Sequence, residues 1–269
     1  MVRAQLFLVL LTAFLGVACA NRSPNTAWVI GNGAYEHSSP LANPANDARA
    51  FTTALRESGW VVETVLDANA EELTALARRA AETSKSGQQS LLFYAGHGMQ
   101  IDGQNYMVPI DFDPASDSPI AQLIPLGRFI ENLVHPDNQL VVILDACRNN
   151  PMAARLSTEL EASRGLGLTR LPPKEVGLGL AEVATSAGTF IAFATEPGSV
   201  ALDGTGANSP FTSALVRHLG TPDEEIGRVL QRVRRDVIEA TGGDQIPWDH
   251  SSLTGPFRIR KAERRPVPP

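Results

Sequence analysis

The chain has 269 residues, 43% of them hydrophobic, which suits a globular protein; the linker-poor sequence favours one large α/β domain over two small ones. A formal net charge of -6 leaves no basic excess for nucleic-acid or anionic-membrane binding.

Residues 1–20 read as a secretory signal peptide: Arg3 is the early cation, Leu6 to Val17 is an apolar run, and Ala18-Cys19-Ala20 is a small-residue cleavage site. The run is about a dozen residues, short of the ~18–20 that a spanning helix needs, and no later stretch reaches that length. Export to the periplasm or the medium is expected. A lipid anchor through Cys19 is the alternative, weakened by Gly16 where such signals carry an apolar residue. With Cys19 in the signal, Cys147 is the one thiol of the mature chain, so no intramolecular disulfide forms. An unpaired thiol in an oxidising compartment is a liability, which argues that it is kept for chemistry.

In chain order, Ala27 to Gly31 is a short apolar run closed by glycine, a buried-strand pattern. Leu41 to Gly59 places Ala48, Phe51 and Leu55 at helical spacing, and Trp60 to Val65 is the next strand. Glu71 to Glu82 is a helix with Leu73, Leu76 and Ala77 on one face. Ser90 to Ala95 is a third strand running into Gly96-His97-Gly98, and Met99 to Ile110 is a hairpin around Asp102-Gly103. Ile120 to Val134 is expected to be helical, and Gln139 to Leu144 is an apolar strand ending at Asp145-Ala146-Cys147-Arg148. Residues 150–187 have no clear period and read as a long, exposed, partly ordered connection. Thr189 to Ala194 resumes as a strand, followed by helices over Ser209 to Leu219 and Glu224 to Ala240. Gln245 to Ile259 completes the domain, and 261–269 is a charged, Pro-rich tail expected to be disordered.

Apolar strands alternating with helices predict a mostly parallel sheet covered on both faces, a three-layer sandwich. Open sheets of this kind place their sites at the carboxyl ends of strands, and His97 and Cys147 both stand there. A thiolate attacks a carbonyl while an imidazole moves the protons, so this pair suits acyl transfer. The backbone N–H groups of Gly98 and Cys147 are the expected oxyanion donors. Each residue alone has a blander role, a small core hydrophobe or a turn histidine; the pair on two strand ends argues against both.

Tyr94-Ala95-Gly96-His97-Gly98 resembles the histidine motif of caspases and metacaspases, and Asp145-Ala146-Cys147-Arg148 resembles their nucleophile motif. Caspase signatures set the histidine about 50 residues upstream of the cysteine, and the interval here is 50. Phe193-Ala194-Thr195-Glu196-Pro197-Gly198 is similar to the strand that opens the caspase small subunit, and Asn208-Ser209-Pro210-Phe211 to the start of its helix. The resemblance, to the metacaspase/orthocaspase group, covers residues 27 to about 258. It implies a caspase-haemoglobinase fold over residues 25–260, with a large-subunit-like part (25–150), a linker (151–187) and a small-subunit-like part (188–260). It also implies thiol-dependent hydrolysis of peptide or protein substrates with no cofactor. A monomer or weak dimer is expected.

Specificity is expected to follow metacaspases, which cut after Arg or Lys, rather than caspases, which cut after Asp. Asp145 stands where caspases carry Gln, Asp203 at the position of their carboxylate-gripping Arg, and Asn46-Asp47 resembles the metacaspase pair that lines the first specificity pocket. Asp47, Asp145 and Asp203 would then form an anionic pocket for a guanidinium or ammonium. Asp102, Asp111, Asp113 and Asp117 do not match the aspartate cluster of calcium-dependent metacaspases residue by residue, so no metal is assigned. Gly31-Asn32-Gly33 lacks the third glycine of a dinucleotide fingerprint, where Glu36 stands. Arg155, Arg164, Arg170 and Lys174 in the linker are candidate sites for self-cleavage. The rival readings are a catalytically silent binding or scaffold module on the same fold, and a cysteine hydrolase of small amides.

Overall fold

The computed structural model describes residues 24–84, 87–135, 137–147, 155–158, 176–177, 180, 187–196, 199 and 201–262. The expected signal peptide, Cys19, Arg164, Arg170, Lys174 and the last seven residues lie outside them. Among the described residues, nine strands form one sheet. Its spine runs in the order β2 (Val61–Leu66), β1 (Thr26–Gly31), β3 (Gln89–Ile101), β6 (Gln139–Cys147), β8 (Thr189–Phe193) and β9 (Trp248–Ser251). The first five are mutually parallel and β9 closes the edge antiparallel.

Strand side chains alternate between two cores, as a period of two demands. Leu91 and Phe93 of β3 face one cluster, together with Val141 and Ile143 of β6. Against it pack α1 (Pro44–Glu57), α5 (Pro210–Leu219) and α6 (Ile226–Ala240), through residues such as Phe51, Phe211 and Val233. Leu92, Tyr94, Val142 and Leu144 face the other, covered by α2 (Ala70–Thr83) and α4 (Leu126–Leu133) through Leu73, Leu76, Phe129 and Leu133. Burial on both faces explains why the central strands read as unbroken apolar runs instead of alternating ones.

Two expectations change. The helix predicted over 120–134 is broken into α3 (Pro119–Gln122), a two-residue strand β5 (Ile124–Pro125) and α4. Pro125 has no N–H for a helical ladder, and Tyr106 and Met107 of β4 (Gln104–Met107) instead pair with β5. Strand β3 does not end at Ala95 but continues through His97 to Ile101, exchanging its parallel partner β6 for the antiparallel β4 after His97. The described fragments of the linker are tied down: Leu156 is buried, Arg155 donates to the His37 carbonyl, and β7 (Val176–Gly177) pairs with Gln100 and Ile101. The tail is held at its start, where the Ala262 N–H donates to Asp223.

The loops at the carboxyl ends of the strands are stitched by one asparagine. The Asn32 side chain, fully buried, donates to the carbonyls of Ala68 and Val108 and accepts from the Ala68 N–H at 2.9 Å. Asp67, at φ +51°, accepts from the Gly33 and Ala34 N–H groups beside it. Gly31 is required by contact: a Cβ there would sit 2.4 Å from the Pro44 carbonyl oxygen, so glycine lets α1 close on β1. Asn32→Ala leaves the buried Ala68 N–H without a partner and strips one of two donors from each of the Ala68 and Val108 carbonyls, which keep Ile110 and Tyr94, and is expected to cost roughly 1–3 kcal/mol. Denaturant titration should show a lower midpoint at unchanged slope; an unaltered midpoint would contradict this role.

Candidate active site

His97 is the last residue of β3 to pair with β6, and its register partner is Cys147. Adjacent strands run about 4.8 Å apart, so the two backbones lie side by side at the carboxyl end of the parallel strands. The His97 main chain is clamped by two tyrosines. Its N–H donates to the Tyr35 hydroxyl at 2.7 Å, and its carbonyl accepts from the Tyr94 hydroxyl at 2.6 Å. The Tyr35 and His97 rings lie with centroids 4.5 Å apart. Gly96 adopts φ +151°, and a Cβ there would come within 2.9 Å of both tyrosine hydroxyls, so the clamp needs glycine next to the histidine.

The imidazole is 3% exposed, and neither ring nitrogen makes a well-formed hydrogen bond to a described residue. Burial pushes it down to about 4, with the Ser39 backbone pulling the other way without a well-directed bond. It therefore rests neutral, the form that accepts a proton from a thiol. Gly98 enters the antiparallel pairing opposite Met107, and a Cβ on it would press on Leu180 and Ala146.

Below this pair, three elements bring carboxylates together. Asp47 lies in the first turn of α1, 2% exposed, and its Oδ1 accepts from Asn208 Nδ2 at 2.8 Å and the Ser209 N–H at 3.0 Å. Asp145, two residues before Cys147, accepts through Oδ2 from the hydroxyls of Ser209 at 2.5 Å and Thr212 at 2.7 Å. Burial raises both carboxyls above the ordinary carboxylate range; Asp145 pushes Asp47 further up, and Asp203 adds to both. Asp203 itself is a latch: its Oδ2 accepts from the Ala42 N–H, and its carbonyl accepts from Asn43. Gln245, fully buried, holds the far wall by donating to the Ala194 carbonyl and accepting from the Leu202 N–H.

The three predicted carboxylates are thus neighbours. Tyr35, Ser209, Thr212 and Gln245 are missed as site residues by sequence reasoning; the motif around Ser209 is legible only as a helix start. The acidic residues after the histidine motif serve the backbone: Asp111 accepts from the Ala70 N–H at the start of α2, and Asp113 from Ala115. Among the described residues no group of three or more His, Cys, Asp or Glu is arranged to hold a metal, and no helix is long and apolar enough to cross a membrane.

A parallel sheet with helices on both faces, carrying a histidine and a cysteine in register on neighbouring strand ends, is the caspase-like class of α/β protein. The caspase domain family model matches residues 24–258, and the chain belongs to that family of cysteine peptidases. Its structure is similar to caspase-1 from Spodoptera frugiperda with a TM-score of 0.59 at 16% identity, over 90% of this chain and 92% of that one, a likeness of fold. Mucosa-associated lymphoid tissue lymphoma translocation protein 1 of Homo sapiens and its Mus musculus homologue are each 33% identical over 85 residues, 32% of this chain. The match spans 10% of the length of those curated relatives.

The buried carboxylates should register in stability. A carboxyl raised in the folded state keeps its proton longer than in the unfolded chain, so stability present in acid is lost as pH climbs above the ordinary range near about 4. Asp47→Asn retains the oxygen that accepts both bonds and removes the charge. Its stability relative to wild type should therefore grow between pH 5 and pH 8 in denaturation experiments. A pH-independent difference would refute the assignment.

Proposed function

We propose that the protein is an endopeptidase that cleaves after Arg or Lys through a Cys147–His97 dyad. The observation that carries this reading is the register of β3 on β6, which ends on the histidine opposite the cysteine. In this mechanism neutral His97 takes the thiol proton and the Cys147 sulfur attacks the scissile carbonyl carbon. The backbone N–H groups of Gly98 and Cys147 stabilise the oxyanion, and His97 returns the proton to the departing amine. Water, deprotonated by His97, then releases the acyl group from sulfur. The buried carboxylates of Asp47 and Asp145, with Asp203 beside them, favour a basic side chain before the scissile bond. The N-terminal segment supports export to the periplasm or medium, and we propose action as a monomer or weak dimer.

Fluorogenic peptides with Arg or Lys before the reporter should be cut and Asp peptides left intact. Cys147→Ala should abolish turnover, and His97→Ala should lower it by several orders of magnitude, because nucleophile and base act as a unit. Asp145→Asn should cost on the order of 2–4 kcal/mol in transition-state binding. Preference for Asp would overturn the anionic pocket, and no turnover of any peptide would leave the silent binding module.

Residues 150–187 carry Arg164, Arg170 and Lys174, which a peptidase of this specificity would meet in its own chain. Self-processing there should appear as new termini, mapped by mass spectrometry, in wild type and not in Cys147→Ala. An intact wild type that cleaves added peptide, or equal cutting of the variant, would reduce the segment to a spacer.

A further inference from the structure

Ser209 touches both buried carboxylates at once. Its N–H donates to Asp47 Oδ1, and its hydroxyl donates to Asp145 Oδ2 while accepting from the Thr212 N–H at 2.9 Å as the cap of α5. One residue, itself 2% exposed, therefore bridges the two acids. Each acid uses one oxygen for the protein: Asp47 spends Oδ1, Asp145 spends Oδ2. No described side chain donates to the other two oxygens, and neither is among the buried atoms sealed without a partner.

We propose that Ser209 is a positioning residue for substrate selection. Its hydroxyl, with that of Thr212, holds Asp145 as an ionised, aimed carboxylate whose remaining oxygen meets the cation of the substrate side chain. This rests on the reading of the pocket as the seat of a basic residue. The physical need is plain from the surroundings. Among the described residues the charges acting on the pair are negative: Asp145 acts on Asp47, and Asp203 on both. The cations of α1 and α5 are directed elsewhere: Arg217 and His218 lie in the last turn of α5 against Asp236, Arg49 of α1 donates to Asn46, and Arg56 to the Val62 carbonyl. Burial and repulsion both favour a protonated Asp145, and the opposing contributions are hydrogen bonds from Ser209 and Thr212. Without the serine hydroxyl, Asp145 keeps its proton to higher pH, and a protonated acid attracts no cation.

The test is the inhibition constant of acetyl-arginine amide against an arginyl peptide, measured from pH 5 to pH 9. Wild type should bind more tightly as pH rises. Ser209→Ala should bind about tenfold more weakly at the acid end, the scale of one lost hydrogen bond to a charged group. There the peptide's KM should be raised with its kcat at saturation retained, and the gap should close at alkaline pH. Ser209→Thr, which keeps the hydroxyl, should restore the wild-type curve. Thr212→Val removes the second hydroxyl without touching the cap or Asp47, so it gives the same alkaline shift even where Ser209→Ala folds poorly. A loss equal at every pH in both variants would mean that the hydroxyls only support the packing around Asp145, and the proposal fails while the basic pocket stands. No inhibition of wild type at any pH would overturn the basic pocket and this proposal with it.

Discussion

The parallel register between β3 and β6 is the constraint from which the rest follows. Every rung, from Gln89 opposite Gln139 to His97 opposite Cys147, carries the same offset of 50 residues. The interval between histidine and cysteine in the chain is thus the register of two strands. A slip by one residue would turn every side chain of β6 to the opposite face, exposing Val141 and Ile143 to the wrong core. Packing on both faces therefore fixes the placement of the two residues, and the histidine loop adds only the tyrosine clamp and the glycine that admits it.

The same register sets the acidic site. Asp145 occupies the sheet two positions before Cys147, and on the other side of it stand the first turns of α1 and α5. Two carboxylates held there oppose folding through desolvation and mutual repulsion, a cost offset by hydroxyl and amide donors at the start of α5. A protein selected for stability alone would replace one with an amide. Their presence next to a neutral buried imidazole is the pattern by which candidate functional sites are recognised.

Much of this was legible in the chain. The five parallel strands, their helices and the hairpin at Asp102-Gly103 follow from runs, periods and turn residues, and Ser209-Pro210 reads as a helix start. The helix over 120–134 did not survive, because Pro125 and the pairing of Ile124 with Met107 are decided by a partner strand. Tyr35 gave no local signal: its role is to meet His97, 62 positions away. Gln245 is likewise an ordinary loop glutamine until the Ala194 carbonyl and Leu202 N–H are seen beside it.

The sequence by itself determined the fold class and the strand ends on which His97 and Cys147 stand, since strand and helix periods and the motifs around these two residues are local patterns. Only the tertiary structure decided which donors hold Asp145, that Asp203 is engaged as a latch, and that the imidazole rests neutral. These depend on burial and on hydrogen bonds between residues far apart in sequence. Asp145 and Ser209 are separated by 64 positions, and no local period records that contact.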